Sequence, residues 1–109
     1  MTKSRRHEFE DQTLVGFSLN RNDIRLRIKC WDDISEKTTM VSITFVDVRD
    51  LQIDSTPDSD IRMISEDGEI IHFETDDDHM LLIIVWHDRA SKAQITKSYK
   101  FSFRALQIL

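Results

Sequence analysis

From residue 13 onward the chain alternates apolar and polar positions with a period of two, the mark of strands with one buried face. The pattern is cleanest in "TLVGFSLNRNDIRLRIKCW". Val15, Phe17 and Leu19 face one way, and Ile24, Leu26, Ile28 and Cys30 do so after a short turn. Opposing Leu19 with Ile24 sets Phe17 against Leu26 and Val15 against Ile28, so every inward pair is apolar. Arg25, Arg27 and Lys29 then point outward, and a one-residue slip would bury all three cations. Residues 20–23 form the turn, without the glycine that favours a tight primed one.

"TTMVSITFVDV" follows, with Val41, Ile43 and Phe45 inward, and "VRDLQI" continues it after a bend near Asp47. "STPDSD" holds the single proline and reads as a loop. "DIRMISEDGEIIHFET" reads as a hairpin turning at Asp67-Gly68, the strongest short hairpin signal in the chain. "MLLIIVWHD" is apolar on both faces, which predicts a central strand covered on both sides. After the turn "DRASKA", Ile95, Tyr99, Phe101 and Phe103 share one face of "QITKSYKFSFRALQIL". Lys97 falls on that face too and has to snorkel or sit at an edge. No stretch holds a helical repeat over ten positions. The expected fold is all-β: one domain over 1–109, an antiparallel β-sandwich or half-open barrel of seven to eight strands. Residues 1–11 are expected to be a loose tail.

Charge sharpens this picture. The net charge of −5 hides a division. Residues 47–78 carry twelve acids against Arg49 and Arg62, a net −10, while the rest carries thirteen bases and eight acids, +5. An acidic middle repels phosphate backbones, so no nucleic-acid partner is expected. It would attract a cationic protein and hasten the encounter in a salt-dependent way. The bland alternative is that the acids only keep the domain solvated. If they form a binding face, the candidates are Asp54, Asp58, Asp60, Glu66, Asp67, Glu69, Asp76, Asp77 and Asp78. Trp31 alternates outward relative to Cys30 and is the candidate apolar anchor, because tryptophan often dominates binding energy.

Sharper chemistry finds little footing. Asp76, Asp77 and Asp78 are consecutive, with no following glycine, and on an extended segment their side chains diverge. His72, His79 and His87 lack metal-ligand spacing. No metal or cofactor is expected. With Gly16 and Gly68 the only glycines, neither a nucleophile elbow nor a phosphate-cradling loop can be built. The acids sit where solvent keeps them ionised, so a general acid is not expected and the chain does not read as an enzyme. The lone Cys30 allows no internal disulfide and continues an apolar face. "MTKSRRHEFEDQ" has no apolar stretch behind its bases, and the longest apolar run covers 80–86. A cytoplasmic protein without a membrane partner is the expectation.

Three segments taken in order, "HEFEDQTLVGFSLNRNDIRLRIKCW", "VSITFVDVRDLQI" with its F-x-x-V-x-x-L spacing, and "KSYKFSFRALQIL", give the chain a family look. The layout resembles the short all-β immunity proteins of bacterial polymorphic-toxin and contact-dependent growth-inhibition systems. The resemblance implies a cytoplasmic antidote that binds one cognate toxin domain. Many such toxins are nucleases with cationic active sites, so carboxylates occluding the substrate phosphate positions would be the mechanism. An accessory domain that dimerises through a strand edge is the rival.

Overall fold

The computed structural model describes residues 9–88 and 90–108. Nine strands are present among them: β1 Thr13–Asn20, β2 Asp23–Asp32, β3 Lys37–Val46, β4 Arg49–Ile53, β5 Thr56–Pro57, β6 Gly68–Thr75, β7 His79–Asp88, β8 Ala93–Ser102 and β9 Ala105–Ile108. All pair antiparallel in one continuous sheet of order β5-β4-β8-β7-β6-β1-β2-β3-β9. The all-β expectation holds, with one sheet and nine strands in place of seven or eight. The shortest strands are the two-residue β5 and the four-residue β9, which the alternation does not mark off.

The sheet is curled. Phe17 on β1 and Tyr99 on β8 stand three strands apart in the order, about 14 Å on a flat sheet, yet their rings lie 4.8 Å apart. Phe45 on β3 and Phe101 on β8 are five strands apart and 5.0 Å from ring to ring. A half-open barrel is the result, its lumen filled by Phe17, Ile24, Leu26, Phe45, Phe73, Leu82, Trp86, Tyr99 and Phe101. Each such side chain contributes roughly 1.5–3 kcal/mol of burial. The buried indole is satisfied, because Trp86 Nε1 donates to Tyr99 Oη at 3.1 Å. Two connections stitch the curl together. Residues 46–49 carry the chain from β3 to β4, near the opposite end of the strand order, and residues 102–105 return it to β9 beside β3. Arg104 N–H donates to Val46 O and Phe103 N–H to Asp78 O at this seam.

Several expectations change in detail. The β1–β2 register is as expected at Leu19↔Ile24 and Phe17↔Leu26, but Ile28 pairs with Leu14. A bulge between Leu14 and Gly16 absorbs Val15, so Leu14 is the buried residue and Val15 is only half-buried. No hairpin turns at Asp67-Gly68, since residues 58–67 form no strand. Gly68 instead opens β6 beside Trp86 of β7, and side chains of that strand crowd it: a Cβ there would stand 2.6 Å from Ile84 Cγ2 and 2.9 Å from Trp86 Cε3. Its φ is not positive, so it serves close approach and not a turn. Within 55–60, Thr56–Pro57 forms β5 on β4. The expected loose tail is ordered where described: Phe9 is buried against Phe73, and Asp11 N–H donates to Ile70 O. The rest of that tail lies outside the described residues. β7 is central as expected, but among the described residues no second layer covers its outer face, where Leu81, Ile83 and Val85 are half-buried. Lys97 is on the interior strand β8 and not at a sheet edge; it lies just past the end of the β4 ladder, where Asp54 holds its ammonium at 3.0 Å.

Candidate functional site

The acids of 47–78 do not converge on one face. Glu66 and Asp67 precede β6, and Glu69 is its second residue, whereas Asp76, Asp77 and Asp78 form the turn after its far end. Eight residues of strand separate those groups by roughly 20 Å. Asp54, Asp58 and Asp60 stand elsewhere again, beside β4, β5 and β8. There Asp60 meets Arg62 at 3.4 Å, and a cleft of about 360 Å³ joins Asp58 and Asp60 to Lys97 and Arg62.

Many of these carboxylates have backbone work. Asp47, Asp50 and Asp54 hold positive φ of 57°, 57° and 53°. With two glycines in the chain, aspartate takes the left-handed positions that it tolerates better than most residues. Asp54 and Ser55, both at positive φ, make the primed turn joining β4 to β5. Asp54 Oδ1 also accepts from Ser98 N–H at 2.9 Å. That bond, then the Lys97 bond, holds its carboxyl below the ordinary value of 3.8. Asp58 Oδ1 accepts from Ser59 and Asp60 N–H.

At the β6–β7 turn Asp76 Oδ1 accepts from Asp78 N–H at 3.0 Å and His79 N–H at 2.7 Å. The Asp78 bond leads in lowering the Asp76 carboxyl, with that of His79 next. This is a turn and not the extended segment expected, so Asp76 and Asp78 converge. With His79 they bring ligand atoms within 4.8 Å of one another, all exposed. Asp78 Oδ1 lies 2.6 Å from His79 Nδ1, and the bonds among them account for the geometry without an ion. His72 faces Glu10 at 3.5 Å and Glu74 at 3.9 Å, away from His87.

Trp31 puts a candidate residue on an exposed apolar surface. It stands near the end of β2, where the β2–β3 hairpin runs beyond the body, and all ten residues 31–40 are exposed. Trp31 is 54% exposed and Ile34, at the tip, 96%. Met40, also exposed, lies diagonally across from Trp31 on the same outward face. The arm is held in shape. Asp32 accepts from Ile34 N–H at 3.0 Å and Ser35 Oγ at 2.8 Å. These bonds, Ser35 first, lower its carboxyl below the ordinary value. Asp33 Oδ1 accepts the Trp31 indole N–H at 2.6 Å, and Gln12 Oε1 accepts the Trp31 backbone N–H at 3.0 Å. Below the indole a cleft of about 420 Å³ is lined by Asp11, Gln12, Thr13, Val15, Lys29, Trp31, Thr38 and Asp67. Of the nominated residues, Trp31 and Asp67 therefore share a site, and Glu69 borders it as the cross-strand partner of Thr13. Asp11, Gln12, Asp33, Ile34 and Met40 were not singled out from sequence. For Asp33, Ile34 and Met40 the signal was "WDDISEKTTM", ten residues with no apolar alternation to bury; nothing local marks Asp11 and Gln12.

Among the described residues no helix is long and apolar enough to cross a membrane. Comparison of the chain with family models, curated proteins and solved structures finds no match.

Proposed function

We propose that the protein is a non-catalytic binding module that neutralises a basic protein domain inside the cell, in the manner of an immunity protein acting on its toxin. The observation that carries this reading is the fixed, half-exposed Trp31 on a projecting hairpin, next to a cleft edged by Asp11 and Asp67. An indole held open to water exposes a large apolar surface, and a rigid one loses little entropy when a partner covers it. At the tip Asp32, Asp33 and Glu36 outnumber Lys37, so the arm offers apolar contact within a net negative rim to a cationic surface. Asp54, Asp58 and Asp60, with Asp76, Asp77 and Asp78, act at longer range through their field and not by contact. A basic nuclease is the partner class that such a rim fits, its anion site occluded by carboxylates.

Growth protection tests this. When each flanking gene is expressed alone, one should arrest growth through a basic domain; co-expression of this protein should restore growth, and Trp31→Ala should abolish that protection at limiting expression. Growth arrest despite soluble wild-type protein contradicts the proposal.

A further inference from the structure

The outer face of β6, β7 and β8 is apolar along its middle strand and has no second layer over it among the described residues. Leu81, Ile83 and Val85 form the stripe, and Ile71, the bulged residue of β6, stands 41% exposed beside it. The cross-strand rows fix what flanks them. Leu81 lies between Glu74 and Lys100, Ile83 between His72 and Ser98, and Val85 between Glu69 and Thr96. The β6 side of the stripe is therefore acidic, and the β8 side carries the cation.

We infer that this face pairs with the same face of a second copy about a two-fold axis parallel to β7. The charge pattern selects both the occupant and the axis. Rotation about an axis along β7 lays each β6 over the other copy's β8 and keeps each row level. Leu81, Ile83 and Val85 then stack on themselves, and Glu74 of each copy opposes Lys100 of the other, twice per dimer. A two-fold across the strands would set β6 on β6 and confront Glu69 and Glu74 with their own kind, which is repulsive. Sheets stacked this way run nearly aligned, the ordinary packing for two β layers. A footprint of three strands by five residues buries roughly 1,000 Å² in total, the low end for specific association, so the dimer is weak and reversible. This surface is distinct from the Trp31 arm and leaves it free for a heterologous partner.

Sedimentation velocity on the full chain, over a concentration series reaching about 1 mM, tests the pairing. The wild type should pass reversibly from monomer to dimer. Ile83→Lys should stay monomeric, with the near-ultraviolet signal of the buried Trp86 unchanged. Glu74→Lys and Lys100→Glu should each weaken association by at least ~10-fold, and the double exchange should restore it to within ~3-fold of wild type. A wild type that remains monomeric throughout overturns the inference. So does a dimer indifferent to Ile83→Lys, or a double exchange that fails to restore pairing.

Discussion

Two tryptophans with opposite surroundings show how much a single position decides. Trp86 is fully buried and bonded to Tyr99, and Trp31 is mostly in water. Trp86→Ala should cost about 3–5 kcal/mol of unfolding free energy. Trp31→Ala should change stability by no more than about 0.5 kcal/mol. Denaturant titration of both variants checks the contrast. Gly68→Ala is a sharper probe, since its methyl group would stand 2.6 Å from Ile84 Cγ2 in a packed layer. A loss of about 1–3 kcal/mol is expected, read as a lower urea midpoint with an unchanged slope. At this scale the sequence was informative for inward residues such as Phe17, Ile24, Leu26, Phe45 and Phe101. It misled at Gly68, because a dipeptide that favours turns also supplies the one residue small enough to sit against the Ile84 and Trp86 side chains of the neighbouring strand. Phe9 is illegible for a different reason: its burial depends on Phe73, sixty-four residues away, and no local alternation reports that.

Individual elements owe their shape to irregular residues as much as to alternation. The bulge at Val15 moves burial to Leu14, and the bulge at Ile71 turns an isoleucine outward. Period-two reading places strands well, but one inserted residue inverts the faces beyond it. The β4–β5 turn illustrates an acid serving the backbone. Asp54 is held below its ordinary value of 3.8 by Ser98 N–H first and Lys97 second. A group whose folded value is depressed stabilises the fold above its unfolded value and loses that contribution as pH falls through the folded one. Wild-type stability should therefore drop as pH is lowered beneath 3.8. Asp54→Asn, which cannot ionise, should show a flatter loss over the same window and lower stability near neutrality. Thermal melts of the two proteins across that range make the comparison.

Over the whole molecule, the all-β class was legible from alternation alone, and the closure was not. Nothing local in "FVDVRDL" or "SFRAL" announces that each segment crosses from one part of a curled sheet to another. Charge was misleading in the same way. Residues 47–78 are acidic in sequence, yet the chain carries them to three separate places, and Asp47, Asp50, Asp54, Asp58 and Asp76 shape turns or bends. The spatial grouping around Trp31 takes only Asp67 from that stretch and adds Asp11 and Asp33 from outside it, fifty-six residues apart at the extremes. If Asp76, Asp77 and Asp78 act through their field, changing all three to asparagine should slow association with a basic partner by up to ~10-fold at low salt. Little difference should remain at high salt. The turn should persist, because the amide replacing the Asp76 carboxylate still offers an oxygen to the same N–H groups. Stopped-flow association at two ionic strengths reads this directly. Binding as proposed turns on the Trp31 arm, and calorimetric titration of a basic domain taken from the products of the flanking genes into wild type and Trp31→Ala measures it. A loss of about 2 kcal/mol, near 30-fold in affinity, with the melting temperature unchanged, is the expected result. Equal affinity of the two proteins for that domain would contradict it.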